Sequence, residues 1–411
     1  MASSVHTTPD VVDLWPYDGS CDATTLRAKG WRPRPINEYI FKIQTRCNLN
    51  CDYCYVYNLG DDSWKAAPAE LSDQLIDAAA ARIKAHALKH QLPGVAVSIH
   101  GGEPLLRGIA KVENFVERMR VGLSPIAVEV SMQTNATLVT ESVAQRLSVL
   151  DIHVGVSIDG DIDANSHRLD LGGKSSFKRV AAGIDQLARF PGLLQGALAV
   201  IDLRNNPISV YETIKGMGFT SLDVLLPHGT WEALPPFKHD DRSASAVAPY
   251  GEWLIGLYKH WAADENRIRL RMFDDILHLL LGGVYSFESL GLAAAQLATI
   301  ESNGDIELVD SIGFTYDGAA TTGANVMTND IDEILEHPGV VCRQIGSEAL
   351  PPECHRCPVL DVCGGGLISH RWDTVRGFKN QTVYCSDMMA LIQFIEADVN
   401  VRAERLSEVP T

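Results

Sequence analysis

The chain has 411 residues, 46% hydrophobic and 21% charged, enough for two domains or for one barrel plus a smaller appendage. A formal charge of −17 excludes nonspecific nucleic-acid binding, which needs clustered Lys and Arg, and no apolar run reaches the roughly 20 residues that span a bilayer. The start, Met-Ala-Ser-Ser-Val-His, lacks the regions of a secretory signal, and nine clustered cysteines suit metal ligation in a reducing setting, so a cytoplasmic protein is expected.

Residues 1–35, with Trp15-Pro16 and Arg32-Pro33-Arg34-Pro35, read as an irregular extension. Short runs rich in Val, Ile, Leu and aromatic residues then follow at Tyr39–Thr45, Val95–His100, Ala127–Gln133, Ile152–Ile158, Gly196–Ile201 and Ser221–Leu226, as buried parallel strands require. Helical patterns lie between them, at Leu71–Lys89, Val112–Val121, Glu141–Leu150, Phe177–Phe190 and Ser209–Met217, with Ser72 placed as a cap. Six such units predict an α/β fold, a partial (β/α)6 barrel over 36–265 with its chemistry at the C-terminal strand ends. Period alone would also allow a doubly wound sheet. Beyond residue 265 come an apolar helix at Phe273–Leu281, a hairpin around Asn303-Gly304, a cysteine-bearing segment and a last helix, all within a C-terminal unit, 266–411.

Directly after the first strand stands Cys47-Asn-Leu-Asn-Cys51-Asp-Tyr53-Cys54, a C-x3-C-x2-C triplet. Three thiolates on one loop can hold three irons of a [4Fe–4S] cube and leave the fourth open to a small molecule. A zinc knot or a redox loop is the alternative, although zinc sites usually begin with paired C-x2-C spacing. The second strand ends in Gly101-Gly102-Glu103-Pro104, where the absent Cβ atoms let backbone approach a ligand, or where an ordinary turn forms. The third ends at Asn135, and the fourth at Ser157-Ile158-Asp159-Gly160, with Arg168 a little beyond. Without the neighbouring motifs, Arg168 reads equally well as a solvated arginine.

Together these elements resemble the radical S-adenosylmethionine (SAM) enzymes. The resemblance implies that Cys47, Cys51 and Cys54 hold a cluster whose open iron chelates SAM and yields a 5′-deoxyadenosyl radical. It further implies that Gly101, Gly102 and Glu103 serve the SAM amino group, Arg168 and Ser157 its polar end, Asn135 more weakly, and that Tyr53 lies near the adenine.

The later cysteines, Cys354, Cys357, Cys363 and Cys385, form a C-x2-C-x5-C…C set. It is similar to the auxiliary-cluster domain of peptide-modifying radical SAM enzymes, the SPASM or twitch type, and implies one auxiliary [4Fe–4S] cluster; four thiolates would equally suit zinc. Leu367 and Val309 stand where the full pattern has cysteines of another cluster. Asp310 follows Val309 where the sulfatase maturases have a basic carboxylate; it reads either as that base or as a turn cap. With Asp62-Ser63-Trp64, Leu226-Pro227-His228, and Cys363-Gly-Gly-Gly followed by His370-Arg371 ahead of Tyr384-Cys385, most of residues 36–390 resembles the FxsB-like maturases, which include three-residue cyclophane synthases. That implies crosslinking of an aromatic ring to Cβ in a ribosomal precursor peptide, with a reductant such as flavodoxin or ferredoxin as partner. Formylglycine formation, thioether formation, epimerisation and a non-catalytic iron–sulfur or zinc scaffold remain as alternatives.

Overall fold

The computed structural model describes residues 20–243, 246–284 and 288–407; Trp15-Pro16 lies outside them. Asp22 accepts the N–H groups of Thr24 and Thr25 and so starts a short helix, α1 (Ala23–Ala28). The extension expected to be irregular therefore contains one helical turn and a half, with Leu26 buried against Leu308 and Ile312 in a small second core.

Strand β1 (Glu38–Gln44) buries Tyr39, Phe41 and Ile43 on one side and the polar Lys42 and Gln44 on the other. It is flanked by strands on both edges, which accounts for its near-continuous apolar run. From it the chain repeats strand and helix: α2 (Asp73–Lys89), β2 (Gly94–Gly101), α3 (Ile109–Leu123), β3 (Ala127–Thr134), α4 (Glu141–Val149), β4 (His153–Ser157), α5 (Phe177–Ala188), β5 (Leu194–Val200), α6 (Pro207–Gly216) and β6 (Ser221–Leu225). The expected Ser72 cap is present, its hydroxyl accepting the Leu75 N–H at 3.3 Å, and Thr140 and Asn206 cap α4 and α6 likewise.

Helix α7 (Pro249–Ala263), the two-residue β7 (Arg269–Leu270) and α8 (Arg271–Leu280) complete this half. The hairpin appears as β8 (Leu297–Ile300) and β9 (Asp305–Glu307), followed by β10 (Thr321–Asn325). All ten strands form one sheet in the order β10-β9-β8-β1-β2-β3-β4-β5-β6-β7, parallel from β8 to β7 and antiparallel through β8, β9 and β10. The sheet does not close on itself, so the barrel is partial. Short helices α9 (Pro338–Val341) and α10 (Leu360–Cys363) lead to α11 (Cys385–Ser407), whose Leu391, Ile392 and Ile395 share the main core with Leu254 and Leu257 of α7. No helix among the described residues is long and apolar enough to cross a membrane.

Candidate cofactor chamber and second thiol group

The parallel strands bring their C-terminal ends together around one cavity of about 460 Å³. Cys47, Cys51, Cys54, Tyr53, Gly101, Gly102, Asn135, Ser157, Arg168 and Asp310 all line it, although they come from six separate stretches of chain. The cysteine loop is fastened on both sides of Cys51, because the N–H of Asn50 bonds to the carbonyl of Leu169 at 2.8 Å and that of Asp52 to the carbonyl of His167 at 3.3 Å. Cys47 Sγ already has donors around it, from the Leu49 N–H at 3.4 Å and Asn135 Nδ2 at 3.8 Å. Burial pushes the Cys47 thiol up to about 12 and the Cys51 thiol up to about 11, so binding of a metal must displace their protons.

Gly101 has φ +143°, and a Cβ there would collide with the carbonyl oxygen of Gln44; on Gly102 it would meet Arg46 and Tyr57. The glycine pair thus permits close passage of the second strand beside the cysteine loop. Glu103 is fully buried. It does not line the cavity: its carboxylate accepts the Thr134 hydroxyl at 2.7 Å and the N–H groups of Asn135 at 2.8 Å and Leu105 at 3.1 Å. These three donors, two of them at the end of β3, hold the carboxylate beside Asn135.

Arg168 donates to Tyr53 Oη at 2.8 Å, and Tyr53 donates to Asp159 at 2.5 Å. Ser157 accepts from Gln133 Nε2 at 2.8 Å. The Nε of Arg168 is buried and has no hydrogen-bond partner within the chain. An orphaned guanidinium donor at the wall of a cavity suits an anionic ligand group such as a carboxylate.

Asp310, from the turn after β9, pairs with Lys42 of β1 and accepts the Tyr55 hydroxyl at 2.7 Å. Burial alone would raise its pKa. The Lys42 ammonium, His100 and the two hydrogen bonds outweigh burial and hold the carboxyl well below the usual range. His100 Nδ1 lies 3.4 Å from Lys42 Nζ, and burial with that cation pushes His100 down to about 4, leaving it neutral. Across the same wall a smaller cavity of about 280 Å³, which also touches Tyr55, Gly101, Gly102 and Asp310, holds Glu301 and Glu307. Burial raises these carboxyls to about 7 and about 8. Lys42, His100 and Glu301 belong to no motif; the one hint in the sequence is a lysine interrupting an apolar strand.

The second thiol group is assembled from Cys354, Cys357, Cys363 at the end of α10 and Cys385 at the start of α11. Each of the last two thiols is raised by burial, Cys363 to about 11 and Cys385 to about 12, with the other cysteines of the set adding to the shift. The buried guanidinium of Arg371 bonds to the carbonyls of Gly364, Gly365 and Gly366 at 3.1, 2.9 and 2.6 Å and fixes the loop after Cys363. His370 beside it meets His228 from the β6 end at 3.2 Å and so ties this segment to the chamber.

A single zinc with thiolates at 2.3 Å would need sulfurs about 3.8 Å apart. Among the described residues, the one set of three ligand atoms gathered within 4.8 Å is His86, His90 and Asp332, so neither thiol group is drawn in that closely. The histidine set is not arranged for an ion. His86 Nε2 accepts the Ile36 N–H at 3.1 Å, which leaves the ring proton on Nδ1, facing Asp332.

The Radical SAM superfamily model matches residues 41–191. Over longer stretches the chain is similar to the serine-type anaerobic sulfatase-maturating enzyme of Bacteroides thetaiotaomicron, at 23% identity over 90% of this chain and 92% of that protein. The cysteine-type anaerobic sulfatase-maturating enzyme of Clostridium perfringens is 26% identical over 88% of this chain and 96% of its own length. Among solved structures, native anSMEcpe with bound AdoMet and Cp18Cys peptide superposes with a TM-score of 0.74 at 21% identity, covering 90% of this chain and 99% of that one. That last likeness is one of fold.

Proposed function

We propose that this chain is a radical SAM enzyme that oxidatively crosslinks two side chains of a ribosomally made precursor peptide, joining an aromatic ring to the Cβ of a nearby residue. When bound, SAM and its [4Fe–4S] cluster supply a 5′-deoxyadenosyl radical. Cys47, Cys51 and Cys54 would hold that cluster, and Arg168, which lines the cavity and whose buried Nε has no partner within the chain, would serve the SAM carboxylate. Cys354, Cys357, Cys363 and Cys385 would hold the auxiliary [4Fe–4S] cluster, which would supply an acceptor for the electron released when the crosslink closes.

Closing a bond between Cβ and a ring carbon removes two hydrogens from the peptide, one as an atom and one as a proton with its electron. The proton is the chain's own task. Asp310 stands in the chamber as a carboxylate, oriented by Lys42 and Tyr55. An attacked ring that has also given up its electron is a strong acid, because losing the proton then restores aromaticity; a weak but prepositioned base is enough. Leu198, Val200, Leu226, Leu297 and Leu367 line the same cavity and keep water from a carbon radical. Flavodoxin or ferredoxin is the proposed electron donor.

The anionic Asp310 inside the thiol-lined chamber is the observation that carries this reading. Its test is a reaction with SAM and the precursor peptide, analysed by fragmentation. A product lighter by two hydrogens, resistant to hydroxylamine and lacking fragments within the linked span supports crosslinking. The names of the relatives favour a second reading, formylglycine formation, whose aldehyde hydroxylamine would capture.

A further inference from the structure

A second cavity, of about 810 Å³, adjoins the chamber, and Tyr53, Val200, Pro227 and His228 line both. Its distinctive wall is the connection that follows β6. A Cβ on Gly229 would lie 2.5 Å from the Pro235 ring, so the connection folds tightly only with glycine there. Thr230 holds the intervening turn, its hydroxyl accepting the N–H groups of Glu232 at 3.2 Å and Ala233 at 3.1 Å. The turn delivers Phe237, which has φ +64° and is 53% exposed, into the wall of the cavity.

A bulky residue in the left-handed region is an outlier that persists only when its surroundings impose it. Here both neighbours are clamped. The Pro236 carbonyl accepts the Tyr250 hydroxyl at 2.9 Å. Lys238 is buried, donating to Asp387 at 2.7 Å and to Ser386 at 3.1 Å, and Asp387 also accepts the N–H groups of Tyr250 and Gly251 at the start of α7. An aromatic side chain left half in water does not stabilise the fold, yet the chain keeps it in a strained conformation on a rigid support.

The geometry points to Phe237 as a specificity residue that receives an aromatic or large aliphatic side chain of the peptide, at a position flanking the residue under modification. This rests on the peptide reading above. The occupant follows from continuity: a peptide whose reacting side chain is in the chamber must leave it, and the shared wall opens onto Phe237, Leu234 and Phe314. Ring-on-ring contact gives such a pocket preference for aromatic over small residues.

The test uses the full, cluster-loaded chain and two probes, trifluoroacetyl-Gly-Phe-Gly amide and trifluoroacetyl-Gly-Ala-Gly amide, titrated by fluorine NMR. The wild type should bind the Phe probe about tenfold more tightly than the Ala probe. Phe237→Gly should abolish that preference while its melting temperature holds or rises, since glycine relieves the left-handed backbone. Phe237→Asn, which also tolerates that backbone, should do the same. Equal preference in both variants, or none in the wild type, overturns the assignment. Turnover plays no part in the measurement, so failure to make a peptide product would count against the maturase reading alone.

Discussion

Lys42 and Asp310, 268 positions apart in the chain, form a buried ion pair between the first strand and the turn after β9. The pair exists because β8 runs parallel beside β1, with Phe41 opposite Ile300, and the following hairpin carries the chain back over the strand ends. It turns an aspartate of the C-terminal unit into a wall of the chamber built by the cysteine loop.

Replacement of Asp310 by Asn should keep SAM cleavage and lose product. Loss of a positioned proton acceptor costs roughly 100- to 10,000-fold in rate. With peptide present, 5′-deoxyadenosine should still form, uncoupled from peptide oxidation, and mass spectrometry of both products measures the ratio. Wild-type coupling in the variant would reduce Asp310 to a turn residue.

Lys42→Met leaves the Asp310 carboxylate buried without its cation, which should destabilise the fold by about 3–5 kcal/mol in denaturant titrations. The double variant Lys42→Met with Asp310→Asn should recover a large part of that loss. Additive losses would mean that the two residues do not act as a pair.

Anaerobic reconstitution should give about eight irons per chain, from two cubes. Substituting Ala for Cys47, Cys51 and Cys54 together should remove about half of the iron and all SAM cleavage. Substituting Cys354 and Cys357 should remove the other half and leave SAM cleavage in place. Zinc in the second set, read by metal analysis, would retire the auxiliary cluster.

Glu301 is raised by burial from 4.5 to about 7, and Glu307 from 4.5 to about 8. Between the lower and upper values the folded chain binds protons that the unfolded chain has released. Stability therefore falls as pH rises through this window. The melting temperature should drop from pH 5 to pH 8, and Glu301→Gln should shrink that drop. An unchanged pH slope in the variant would show that Glu301 titrates normally.

The cysteine loop, the glycine pair and the strands that carry them were legible in the sequence, because spacing and apolar period are local properties. The partners of Glu103 were not, since Thr134 and Asn135 arrive on a neighbouring strand. Nor was β10: Thr321-Thr-Gly-Ala-Asn325 has weak strand propensity, and it is extended because β9 offers it a partner. Lys42 could be seen as a charge in an apolar strand, but its partner depended on register between segments far apart in the chain.

The strand beside β1 has a bearing on how this protein can be cut. A fragment ending near residue 265 would retain every ligand proposed for the SAM site yet expose the backbone of Glu38, Tyr39, Ile40 and Phe41, which β8 now covers. Unpaired, flat and apolar, that margin would template pairing between copies, and the fragment would come out of solution as aggregate. The two halves are thus inseparable for a reason unrelated to electrons or substrates: one seals the raw edge of the other.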